Sequence, residues 1–376
     1  MFIPLHKFFE MKKILVLSLA VLAAACSSSD NSNVNTGNYD RTALMTSWAD
    51  NIIVPSFENY QAKANVLSAK ATAFSAAPSQ QGLDELRAAW LEAYLAFQHV
   101  GIFDDPKAFE LHLIEGSNTY PADVAGINSN IASGTYNLSQ PVNYAREGFP
   151  ALDYMLYGVG NDDAAIIDYY SGNSNARTYV ADLASHIKTV ADSILADWNG
   201  GYRATFIAGT GTAVSAPINQ TVNNFVKNLE KDVRTPKLGI PAGLFSNGTT
   251  FPNKVEAYYR NNVSHQLLTE AITASRDFFN GKYFGSETTG PGLKGYLDAI
   301  NAVRDGQNLS AVINAKYDAA LAAVAQLDNS FSNQITNDNS KMLAAYQAMQ
   351  QLTVYEKLDM LQALNISIDY VDGDGD

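Results

Sequence analysis

Apolar residues along this chain recur at helical spacing, and the alternation that a half-buried strand needs is scarce. Leu86, Trp90, Tyr94 and Phe97 fall at i, i+4, i+8 and i+11, one face of a helix. Leu183, Ile187, Val190, Ile194 and Trp198 repeat the pattern, and Gly200-Gly201 follows as a stop signal. Ile218, Val222, Phe225, Leu229 and Val233 do so again, with Pro236 as the expected end. Ala311 to Leu327 is Ala-rich and amphipathic, and Met342, Tyr346 and Met349 open a last long helix reaching about Leu364. The spacing predicts an all-α fold of eight or more helices. Long connections are expected over 104–143, 200–216, 238–253 and 281–291, which are rich in Gly, Pro, Asn, Ser and Thr. Most aromatic residues on these stripes are expected in the core. With 20 Tyr in the chain, several hydroxyls should line a pocket or interface where one end stays wet.

The ends narrow the setting. Lys12-Lys13, the apolar run 14–22 and the small residues before Cys26 read as a secretory signal. The run is shorter than the roughly 20 residues that a membrane-spanning helix needs. Cys26 is the chain's one cysteine. Its place directly after the signal reads as a lipobox whose thiol is acylated; the alternative is an ordinary signal with an unpaired thiol. Met11 offers a second start to Met1. The expected plan is a signal over 1–25, a tether over 26–38, an N-terminal helical domain over 39–205 and a C-terminal helical bundle over 206–376, packed side by side.

The segment 1–25 carries a net +2, and taking that from the chain's −13 leaves about −15 for the rest. Such an acidic chain argues against nucleic-acid binding and against broad attraction to anionic headgroups. Membrane attachment would then come from lipid at Cys26, where several acyl chains anchor stably and one would be marginal. With no second cysteine there is no internal disulfide, so the fold rests on its core.

The most telling stretch is Gly148-Phe149-Pro150-Ala151-Leu152-Asp153-Tyr154-Met155-Leu156-Tyr157-Gly158. It resembles the signature of the imelysin family, Gly-x-His-x-x-Glu followed by an aromatic-aliphatic run and Gly, with Pro150 at the His position and Asp153 at the Glu position. Four other stretches are similar to the family, in its order. They are 86–94 with Trp90 and Tyr94, Lys237-Leu238-Gly239-Ile240-Pro241, Lys254-Val255-Glu256-Ala257-Tyr258-Tyr259, and the acidic finish 364–376. The resemblance implies an all-helical, two-domain extracytoplasmic protein, lipid-anchored at a bacterial outer membrane. It also implies a link with iron acquisition, an iron-transport partner, and a site near the domain interface. Some members have been described as insulin-cleaving peptidases.

Metal chemistry on this frame is impoverished. Pro150 has no donor atom and suits a first helical turn, where its missing N–H costs little. Asp153 is then either a carboxylate stabilised near a helix N-terminus by about 0.3–1 kcal/mol, or a remaining hard ligand or hydrogen-bond acceptor in the pocket. A hydrolytic zinc site needs about three protein ligands and an open position, so none is expected from this motif. A divalent metal or an iron species bound by Asp153 and Glu256 stays open, as does a local structural role for Glu256. His112 with Glu115 makes a chance His-x-x-Glu. The remaining histidines outside the signal are His99, His186 and His265, of which His186 and His265 sit alone on helical patterns and read as structural. Arg146 could balance a buried carboxylate. Asp372-x-Asp374-x-Asp376 resembles the opening of a calcium loop but lacks the later ligands; otherwise it is a solvated acidic end. No nucleophile elbow, phosphate loop or dinucleotide fingerprint is present.

The pocket candidates are therefore Trp90, Tyr94, Arg146, Gly148, Pro150, Asp153, Glu256 and Tyr259. The expected function is a ligand- or metal-binding envelope lipoprotein. The alternatives are a metallopeptidase with relocated ligands (His112, Glu115, Asp153, Glu256) and a surface interaction scaffold.

Overall fold

The computed structural model describes residues 39–370. The signal, the tether with Cys26 and the Asp372–Asp376 finish lie outside the described residues. The fold is all-α: the described residues form sixteen α-helices joined by π and 3-10 turns and one two-stranded ribbon, Val303–Arg304 against Gln307–Asn308. No described helix is long and apolar enough to cross a membrane.

The first half is organised on three long helices. Helix α1 (Arg41–Trp48) passes through a π turn into α2 (Val54–Ala76). Pro55 explains the turn: it has no N–H to give the Asn51 carbonyl one turn back. That carbonyl instead accepts from the Phe284 amide at 2.8 Å, which ties a loop of the second half to α2. Helix α3 (Gln80–Val100) begins at Ser79, whose hydroxyl accepts from the Gly82 amide at 3.2 Å. Its predicted stripe is the buried one: Leu86, Trp90 and Tyr94 are fully buried and Phe97 nearly so. Truncating one such residue, Leu86→Ala, is expected to cost about 2–5 kcal/mol.

The 104–143 stretch is more ordered than its composition suggests. It holds α4 (Pro106–Glu110), α5 (Leu113–Asn118) and α6 (Val124–Ser133), and is followed by a 3-10 turn over Pro141–Arg146. Asp105 and Asp123 cap α4 and α6 through their carboxylates, so side-chain caps start helices too short to show a periodic stripe. The signature segment is α7 (Gly148–Tyr157), then come α8 (Asp163–Gly172) and α9 (Ser174–Asp197). Helices α2, α3 and α9 form the first bundle.

The Gly200-Gly201 stop is real but local. Gly201, at φ +139°, breaks the helix inside a π turn, and α10 (Arg203–Ala208) resumes. Helix α11 (Pro217–Lys227) runs into a π segment, Asn228–Gly239. Pro236 does not end it, as had been expected, because wider π turns do not require the i→i−4 bond that proline deletes. Helices α12 (Ser264–Asn280), α14 (Leu309–Val324) and α15 (Phe331–Val354) form the second bundle, with α13 (Leu293–Ala299) beside them and α16 (Leu361–Ala363) at the end. Helix α15 starts earlier than predicted, at Phe331, and breaks at Asp338 (φ −156°, ψ 86°) before the Met342–Tyr346–Met349 stripe. Helix α12 packs on both α3 and α14, so one continuous core runs through both halves.

Candidate functional site

The segments that carry the family resemblance are far apart in sequence and meet around one carboxylate, Glu256. Glu256 is buried, and so is the ammonium of Lys237, whose Nζ donates to both Glu256 oxygens and, at 3.0 Å, to Gln98 Oε1 on α3. Asn118, the last residue of α5, donates to Glu256 Oε1 at 2.9 Å and accepts from the Tyr94 hydroxyl. Tyr94 comes from the early helix, Lys237 from the Lys-Leu-Gly-x-Pro stretch and Glu256 from the Val-Glu-aromatic step. The signature helix α7 holds the same turn by another route. Asp153 Oδ2 accepts from the Tyr259 amide at 2.8 Å, and Oδ1 from the Arg260 amide at 2.7 Å.

Local backbone explains why α7 can sit there. Gly148 has φ +70°, and a Cβ on it would lie 2.3 Å from the Ser117 carbonyl oxygen and 2.4 Å from that of Gly116. Only glycine lets α7 start against α5 so closely. Pro150 falls in the first turn, as its missing N–H requires. Phe149 stacks on Tyr94 with ring centroids 4.4 Å apart, and the Trp90 indole N–H donates to the Phe149 carbonyl at 3.1 Å.

Burial sets the electrostatics. Desolvation pushes Asp153 up to about 7, although the two backbone amides and Arg260 oppose the shift. Burial pulls the Lys237 ammonium below its ordinary value, and Glu256 opposes it. Tyr94 is raised well above its usual range by burial, Glu256 and Tyr120; Tyr120 is raised likewise by burial, Glu256 and Asp232. Both hydroxyls are therefore protonated donors at neutral pH. The Tyr120 hydroxyl is buried without a partner, and its residue lines two cavities. One, about 250 Å³, lies between α3, the α5 loop, the π segment and α12, with Gln98, Glu115, Asp232 and Lys237 on its walls. Burial pushes Asp232 up to about 7, with Lys227 opposing. The other, about 210 Å³, is walled by Pro121, Pro150, Asp153 and the 253–259 segment.

The remaining candidates are placed as follows. Trp90 is a core residue behind the cluster rather than a pocket wall. Arg146 pairs with Asp123 (Nε to Oδ2 2.8 Å), not with a carboxylate of the signature; the guanidinium that bears on Asp153 belongs to Arg260. Tyr259 packs edge-on against Tyr154. His112 is exposed and left-handed (φ 52°) at the start of α5, and Glu115 is exposed on the same helix. Among the described residues no group of three or more His, Cys, Asp or Glu is placed to hold a metal ion.

The donor set does not fit a divalent metal. Pro150 offers nothing, both Asp153 oxygens are committed to backbone amides, and Lys237 already stands against Glu256 as the cation. The cluster instead presents fixed charges and the Tyr120 hydroxyl to two cavities. Reading the sequence missed Lys237, Asn118, Tyr120, Gln98 and Asp232. Only Lys237 carried a signal, a cation directly before the buried Leu238-Gly239 step.

The family model described as Imelysin matches residues 53–356. Two solved structures share the fold. One, a “putative iron-regulated protein A precursor” from Parabacteroides distasonis ATCC 8503, is 18% identical, with a TM-score of 0.70 over 85% of this chain and 94% of that one. The other, an imelysin-like protein from Psychrobacter arcticus 273-4, is 16% identical, with a TM-score of 0.67 over 90% of this chain and 98% of that one. No curated protein matches significantly.

Proposed function

The chain belongs to the imelysin family, and from that premise we propose that it is a non-catalytic binding protein of the cell envelope that serves iron acquisition. It would be anchored by lipid on Cys26 at a bacterial outer membrane and work beside a transport partner. Its ligand, a small polar molecule or metal chelate, would occupy the cavities flanking Tyr120. One observation carries this reading: the family's frame converges on Glu256, and the charge that meets this buried carboxylate is the Lys237 ammonium. The partnerless Tyr120 hydroxyl supports it, since a buried donor without an acceptor is costly unless something fills the role. The iron link draws on the family and on the iron-regulated name of one structural neighbour.

The metallopeptidase alternative needs His112, Glu115, Asp153 and Glu256 to converge on one ion. Exposed His112 and the committed carboxylates speak against it. The test is proteolysis by the purified mature chain, with and without chelator, alongside native mass spectrometry for a retained small molecule. The proposal expects no chelator-sensitive cleavage and a retained or titratable ligand whose binding falls in Tyr120→Phe. A chelator-sensitive rate abolished by Asp153→Ala overturns it.

A further inference from the structure

Another cavity shares no lining residue with either cavity of this cluster. It measures about 410 Å³, within the 300–1,000 Å³ range usual for small-molecule sites. One wall is aromatic. Trp198, Tyr202 and Phe206 pack on each other with ring centroids 4.9, 5.1 and 6.2 Å apart. The π turn at Trp198–Tyr202, with Gly201 at φ +139°, folds Tyr202 and Phe206 back onto Trp198. π turns of this kind are frequent at functional sites.

Acidic groups adjoin these rings. Asp105 accepts from the Trp198 indole at 2.6 Å and from the Lys107 and Ala108 amides. The Asp104 carbonyl accepts from Asn224 Nδ2 at 2.8 Å, and its carboxylate from Lys227 at 3.1 Å. Asp369 adds a third carboxylate at the mouth. Lys227, a cation lining the cavity, is spent on Asp104. Carboxylates set beside aromatic rings form an arrangement that attracts organic cations.

We infer that this cavity is a second binding site, for a small organic cation with an aromatic or apolar body. The rings take the body, and Asp105 and Asp369 favour the charge without further rearrangement.

The test uses the mature chain and benzyltrimethylammonium as probe, followed by calorimetry and by tryptophan fluorescence; of the three tryptophans, Trp198 lines this cavity and Trp48 and Trp90 do not. Saturable binding of the cation is expected, and benzoate of the same bulk should bind at least about tenfold more weakly. Phe206→Ala should weaken the cation about tenfold. Because that variant removes core packing, two rim variants guard the conclusion. Gln220, half-buried on the cavity wall, can change charge without emptying the core. Gln220→Glu should tighten the probe about threefold and Gln220→Lys should loosen it by a similar factor. Tyr120→Phe, in the other site, should leave it unchanged. No saturable binding, equal binding of benzoate, or an affinity indifferent to both Gln220 changes overturns the inference.

Discussion

Replacing Asp153 with alanine should release the turn that carries Glu256, and the cost should depend on pH in a definite direction. Both carboxylate oxygens are acceptors for buried backbone amides, at 2.8 and 2.7 Å. Leaving one such donor unmet costs about 1–3 kcal/mol, so the pair is worth about 2–6 kcal/mol. The carboxyl itself is 2% exposed, and burial lifts it from 3.8 to about 7. Three units at about 1.4 kcal/mol each make the ionised form about 4 kcal/mol less favourable in the folded chain than in the unfolded one. With the folded value raised, the folded state binds more protons between about pH 4 and pH 7. The stability contributed by Asp153 is therefore complete below about pH 4 and declines as pH rises through 7. The penalty of Asp153→Ala should be largest below about pH 4, and larger at pH 5 than at pH 8. Urea denaturation at both values measures it, and amide hydrogen exchange should show Tyr259 and Arg260 losing protection first. A penalty under about 0.5 kcal/mol, or one that is the same at pH 5 and pH 8, refutes the reasoning.

Lys237→Met should destabilise by about 3–5 kcal/mol, because it strands a buried Glu256, and adding Glu256→Gln should recover much of that loss; denaturation of the single and double variants measures both. Gly148→Ala should cost about 3 kcal/mol or more in the same assay, since the new Cβ meets two carbonyl oxygens at φ +70°. Glu147 is buried, its Oε2 has no hydrogen bond and faces His186 Nε2 at 3.7 Å, and burial pushes the carboxyl up to about 8. Its contribution is thus complete below about pH 4 and lost as pH rises through 8, so Glu147→Gln should gain stability over the parent at pH 9 relative to pH 6. Parallel stability curves for the two proteins would refute that assignment.

How much of this was readable beforehand follows the range of the signal. Stripes such as Leu86–Trp90–Tyr94–Phe97 and Leu183–Ile187–Val190–Ile194 are local, and the structure buries them as read. The short helices of 104–143 were not legible, because a five- or six-residue helix shows no period and its cap is a tertiary choice. The π segment through Pro236 was misread because a proline usually ends an α-helix. At the site, the resemblance picked Tyr94, Asp153 and Glu256, which do converge. The group that meets Glu256, Lys237, lies 19 residues away in sequence and was read only as part of a family-like stretch, not as a site residue. Asn118 and Tyr120 sit in a stretch read as loop, where nothing local marks a buried donor.

The central claim is that Glu256 is neutralised by the Lys237 ammonium and does not serve as a metal ligand. Transition-metal stoichiometry of the natively purified mature chain, measured by elemental analysis beside Asp153→Ala, tests it most directly. The account predicts well under one equivalent in the parent and no change in the variant. One tightly held equivalent in the parent that disappears in Asp153→Ala would contradict it.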